Sequence, residues 1–191
     1  MEVKQLFRKC LDHVSPMMTL IEPRYYKSST PCTEWDLHQL TNHLLNEISW
    51  VPDMLAGKTI KDVGNVYDGD LIGDDLVANW NAAAQKALAA VEAVDLDKEV
   101  HLSYANVSAE HYISEISGEL LIHGWDIAQS LKSSLMLPED ITEAVYIRVL
   151  PRAHEYAESS LFGPPIDVAE DAPIRIKLLS IFGRTEPSLS S

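Results

Sequence analysis

Leu37, Leu40, Leu44, Ile48, Val51 and Leu55 recur at three- and four-residue spacing, which puts them on one stripe of an α-helix. Val3, Leu6, Phe7, Cys10, Leu11 and Val14 repeat the pattern, and so do Leu76, Trp80, Ala84, Leu88 and Val91. Ile116, Leu120 and Ile127 mark another stripe. A helix that is apolar along one stripe must bury it against other elements. The expected fold is therefore all-α, an up-and-down bundle with side chains projecting into its centre.

Boundary signals divide the chain. The first helix is expected to continue through Pro16 to Leu20 with a bend, and EPRYYKSSTPC to form a loop. Thr33 followed by Asp36 resembles a capping box, which predicts a helix start near Glu34, and Gly57 is a suitable terminator. Residues 58–70 are rich in Gly and Asp and read as a connection before a helix from Leu71 to Val94. Glu99 to Tyr104 is too short for a helix and reads as an extended link or a lone strand. Ser108 is a suitable N-cap for a helix running to about Leu131. LPEDITEAV opens another helix, interrupted at Pro151; FGPPIDVAEDAP reads as irregular, and IRIKLLSIFGR as a short final helix ended by Gly183. No repeat or domain boundary is evident, so residues 1–191 are expected to form one domain.

The net charge of −14, from 29 acidic against 15 basic residues, disfavours nucleic acid and anionic membranes as partners. No stretch approaches the roughly 20 apolar residues of a membrane span. The N-terminus lacks the apolar run of a signal peptide, and two cysteines make no disulfide framework. A cytoplasmic location is expected.

Polar groups interrupt the stripes at particular points. Glu119 and His123, four residues apart, share the face of Ile116, Leu120 and Ile127. His43 stands between Leu40 and Leu44 on another helix, with Glu47 four residues on. Carboxylate and imidazole are costly in a core unless paired or bound to a metal. One reading is a hydrogen-bonded Glu119–His123 pair with a structural role. The other is a metal set of His43, Glu119 and His123, suited to zinc with an open position and also to iron(II), nickel or manganese. Glu47 and Asp126 are then candidates for holding a ligand or carrying a proton.

TPCTEWDLHQLTNHLLNE followed at a distance by GELLIHGWDIAQSL resembles the DinB-like superfamily, in the branch related to mycothiol-dependent maleylpyruvate isomerase. The carriers are the Thr-Pro-Cys-x-x-Trp segment, the Leu-x-x-His-Leu-x-x-Glu helix and the His-Gly-Trp-Asp run; the tail from Phe162 to Arg184 also looks like that of short members. The resemblance implies a DinB-like four-helix bundle, here with extra short C-terminal helices. It implies a divalent metal held by His43, Glu119 and His123, and it extends to thiol transferases that use a low-molecular-weight thiol such as mycothiol. The isomerase of this branch has an additional C-terminal domain, for which this chain leaves no length, so maleylpyruvate isomerisation is the less expected activity. A metal-dependent thiol transferase acting on small molecules is the leading expectation, and a non-catalytic metal-stabilised stress or small-molecule-binding bundle is the rival. Bundles of this kind often pair through exposed helix faces, which makes a homodimer a candidate assembly.

Other residues have simpler readings. Cys32 precedes a helix and is expected to pack there rather than act as a thiol. Trp35, Trp50, Trp80 and Trp125 are expected in the core, with Trp50 and Trp125 as candidates to line a pocket near the metal. His13, His38, His101, His111 and His154 read as surface or capping residues. Asp68, Asp70, Asp74 and Asp75 lack the spacing of an EF-hand and read as a solvated loop and helix start.

Overall fold

The first helix, α1 (Val3–Met18), buries Leu6, Phe7, Cys10 and Val14 on the expected stripe and carries Pro16 in its last turn. It belongs to a computed structural model that describes residues 1–133, 136–158 and 163–186. The chain falls into two compact units, Met1–Ser133 and Ser134–Ser191.

In the first unit α2 (Leu37–Ala56) begins three residues later than expected. The backbone N–H of Trp35 donates to the Cys32 carbonyl at 2.9 Å, so a turn occupies the residues that Thr33 would have capped. Asp36 is the N-cap instead. It accepts from the Gln39 N–H at 2.9 Å, and the Gln39 side chain returns a bond to the Asp36 N–H at 3.0 Å. Gly57 ends the helix in the left-handed region at φ 94°.

The Gln39 N–H and the Lys27 ammonium favour the ionised Asp36 carboxyl and hold it below the usual carboxylate range. A depressed folded value means stability that is present above the unfolded pKa and lost as pH falls through the folded one. Asp36→Ala is therefore expected to cost about 1 kcal/mol near neutral pH. The difference should shrink below about pH 4, where the carboxylate protonates. Denaturant midpoints at neutral and acid pH measure this, and an equal difference at both would rule the charge out as its source.

Residues 58–70 are not simply a connection, because Thr59 and Asp62 form a capping box that nucleates α3 (Ile60–Val63). The next helix, α4 (Leu76–Ala93), starts five residues later than expected. The Leu71 and Ile72 N–H groups are committed to Asn42 and Asp70, and Asp75 caps the helix through the Ala78 N–H. Leu76, Trp80, Ala84 and Val91 face inward, with Ala87 buried where Leu88 is only half-buried. The extended segment is not a lone strand. It forms β1 (Glu99–His101), paired antiparallel with β2 (Asn106–Ser108) and Val100 opposite Val107. Ser108 then caps α5 (Ala109–Ser130), as expected.

The main packing pairs are α1 with α4 and α5, and α2 with the same two helices. Chain neighbours α1 and α2 thus stand diagonally across the four-helix bundle, as do α4 and α5. The α1–α5 seam is tight: a Cβ at Gly124 would overlap the Val14 Cγ2. Trp80 ties α4 to α1, its indole N–H donating to Ser15 Oγ at 2.9 Å.

In the second unit α6 (Glu139–Val149) runs into a 3-10 turn (Leu150–Arg152) at Pro151 and then α7 (Ala153–Glu158), the interruption expected there. Residues 163–173 carry no helix or strand, and α8 (Ile174–Ile181) packs on α6. Phe162, the first residue of the segment expected to be irregular, lies outside the described residues. Gly183 follows α8 at φ 73°, and a Cβ there would lie only 2.8 Å from the Gly163 and Pro164 backbone.

Candidate metal centre

Helices α2 and α5 pack side by side, and their inward polar groups meet between them. On α5 the four-residue spacing stacks Glu119 against His123, with Oε2 to Nε2 at 3.0 Å. His43 reaches across from α2, its Nε2 lying 3.5 Å from the same carboxylate oxygen. Three potential ligand atoms, one each from His43, Glu119 and His123, lie within 4.8 Å of one another. Two imidazoles and a carboxylate converging this closely suit a divalent cation of the zinc type. Solvent reaches 24% of the His43 and 23% of the Glu119 side chain but only 2% of His123, so the cluster opens to one side.

The far nitrogen of His123 is anchored. Its Nδ1 lies 3.0 Å from Asp126 Oδ2, and Asp126 is fully buried. That bond orients the ring and leaves Nε2 toward Glu119. Burial opposes charge on the ring, yet the bonds to Asp126 and Glu119 outweigh it and hold His123 up at about 9. Burial alone would push Glu119 up as well; His123 and His43 reverse that and hold its carboxyl well below the usual range. Glu47 is the opposite case. Burial and then the Glu119 charge lift its carboxyl to about 7, against the pull of His43 and His123. Its Oε1 sits 3.9 Å from His43 Nδ1, and 31% of the side chain is solvent-reached.

This site lies within residues 19–128, which match the family described as Mycothiol maleylpyruvate isomerase N-terminal domain. The chain belongs to that family. His43, Glu119 and His123, together with Trp35 and Asp126, all fall inside the matched span. A crystal structure of a mutant of mycothiol-dependent maleylpyruvate isomerase is similar in fold, with TM-score 0.54 and 16% identity over 82% of this chain and 68% of that one. Among curated proteins nothing matches.

The family domain brings together more than the sequence had suggested. Trp35, expected in the core, is half-buried against the two histidines, its ring centroid 4.5 Å from that of His43 and 6.0 Å from that of His123. The two histidine rings stand edge to face at 5.2 Å. Trp50 is half-buried against Tyr67 at 5.7 Å, and Trp125 is buried in α5. Among the described residues neither makes a ring contact or hydrogen bond with the ligands. Trp80 is fully buried, as expected.

Glu115, one turn before Glu119, adds its charge to the field at Glu47 and accepts the Tyr104 hydroxyl and a bond with His111 at 3.1 Å. The strict four-residue ladder His111, Glu115, Glu119, His123 could have marked this polar face in the sequence.

Among the described residues the metal-type grouping includes none of the remaining histidines. His38 faces Asp70 at 3.6 Å, His101 pairs with Asn106 at 3.0 Å, and His154 is exposed. His13 is half-buried, with an Nε2 that has no hydrogen-bond partner and a ring pushed toward neutrality by burial. Asp70 and Asp75 are used in backbone hydrogen bonds, and among the described residues the metal-type grouping is His43, Glu119 and His123. Cys10 is buried and Cys32 half-buried, with no disulfide between them. No described helix is long and apolar enough to cross a membrane.

Proposed function

We propose that this protein binds a divalent metal, zinc being best suited, through His43, Glu119 and His123, and acts as a metal-dependent thiol transferase on small molecules. The observation that supports it is the convergence of three ligand atoms within 4.8 Å at a cluster open on one side. Iron(II), nickel and manganese accept the same donors. A metal held there supplies Lewis acidity, which lowers the pKa of a coordinating thiol or polarises a carbonyl.

The chain's own residues divide the remaining work. His123 is oriented by Asp126, and Glu119 bridges the two histidines. Glu47 stands on the solvent-reached side next to His43, placed to take a proton from an incoming thiol and return it to product. A low-molecular-weight thiol such as mycothiol is the co-substrate that the family description suggests. Maleylpyruvate isomerisation ranks below this reading. A DNA-independent role fits the −14 charge, a cytoplasmic location belongs to the same reading, and a homodimer is the assembly to test by sedimentation.

The rival is a non-catalytic, metal-stabilised bundle, favoured by the deep burial of His123 and Asp126. The deciding experiment measures metal in tag-free protein by mass spectrometry and screens thiols with electrophiles for adduct. Stoichiometric metal with thiol turnover that falls in Glu47→Gln is expected. Metal without turnover leaves the rival, and no metal after reconstitution sinks both.

A further inference from the structure

The two histidines are held differently. His123 has the buried Asp126 carboxylate on its Nδ1 at 3.0 Å. For His43 the facing acceptor is Glu47 at 3.9 Å, too far for a hydrogen bond, so among the described residues no hydrogen bond on its far nitrogen sets the ring's rotation. What lies against that ring is Trp35, at 4.5 Å and a 41° tilt. An imidazole has a broad second side-chain torsion, so beyond the long 3.5 Å contact of Nε2 with Glu119 it is packing that narrows it.

The loop before α2 fixes Trp35 by its backbone. The Trp35 N–H donates to Cys32 at 2.9 Å, its carbonyl accepts the buried Thr30 hydroxyl at 2.8 Å, and the next residue is the N-cap Asp36. The Trp35 backbone is thus held on both sides of its Cα, and from there the indole ring lies beside His43 and His123.

Resting on the metal reading above, we infer that Trp35 is the positioning residue of His43: its indole does by packing what the Asp126 carboxylate does for His123 by hydrogen bonding. It also closes the ligands on one flank, leaving approach from the Glu47 side.

The test uses the full chain, zinc affinity by chelator competition, and the visible spectrum of the cobalt(II)-loaded protein, which reports ligand geometry without any assay of activity. Trp35→Ala should bind zinc about 10- to 100-fold more weakly, the range for losing a ligand-orienting partner, and its cobalt spectrum should shift. Trp35→Phe, which keeps an aromatic face, should stay within about threefold of wild type. Asp36→Ala, which weakens the same helix start without touching the ring, should leave the cobalt spectrum unchanged.

If Trp35→Ala fails to fold, Trp35→Leu restores bulk without the ring and should show the same loss. Wild-type affinity and an unaltered spectrum in the Ala or Leu variant overturn the inference, as does a spectral change that Asp36→Ala reproduces. A wild-type protein that binds neither zinc nor cobalt overturns the metal reading and this inference with it.

Discussion

On the proposed metal reading, zinc is expected to raise the thermal stability of the wild-type protein and His123→Ala to abolish that rise. A ligand that binds only the folded state stabilises it by mass action, about 4 kcal/mol when free ligand exceeds Kd by a thousandfold. For a chain of this size that corresponds to a melting-temperature rise of roughly 10 °C. The effect should be large because the three candidate donors come from two helices, α2 and α5, and unfolding separates them. Removing His123 takes away the most buried donor and leaves Asp126 without its imidazole partner. His43→Ala should also lose the zinc-dependent rise while perturbing the metal-free protein less, since His43 is partly solvent-reached. Melting curves with and without zinc after chelator treatment give the answer. A His123→Ala protein that still gains stability like wild type would mean that zinc binds somewhere else.

Asp126→Asn should weaken zinc binding by about 10- to 100-fold, the usual consequence of altering a group that orients a histidine ligand. The amide keeps the volume and can still accept from Nδ1, so the fold should survive; what is lost is the carboxylate's charge on the ring. Asp126→Ala should do more. It leaves a buried imidazole N–H without its acceptor, which adds about 1–3 kcal/mol of destabilisation to the affinity loss. Competition with a chelator and denaturant unfolding separate the two effects. Equal zinc affinity in Asp126→Asn and wild type would show that the buried carboxylate serves packing alone.

Both results depend on relations of different range. The spacing of Glu119 and His123 is local: any α-helix stacks residues four apart, so their contact follows once α5 forms. The same is true of the Ser108 cap, the Gly57 terminator and the interruption at Pro151, each a property of a residue and its near neighbours. A local signal failed where a turn overrode it. The Thr33–Asp36 spacing suggested a cap at Thr33, but the Cys32–Trp35 turn occupies those residues and Asp36 is the N-cap. Asn106 to Ser108 is too short to show alternation, so β2 was hidden and its partner looked solitary.

By itself, then, the sequence determined which faces are buried: periodicity dictates the stripe, and a polar side chain on a stripe must find a partner. It did not determine who the partner is. That His43 meets Glu119, that α1 and α2 stand diagonally so that α2 can lie beside α5, and that Trp35 leaves the core to press on both histidines are choices made by tertiary packing. The physical reason is that helical period specifies rotation about one axis, whereas neighbour choice depends on how several faces fill a shared volume. Long connections such as residues 19–36 permit more than one arrangement.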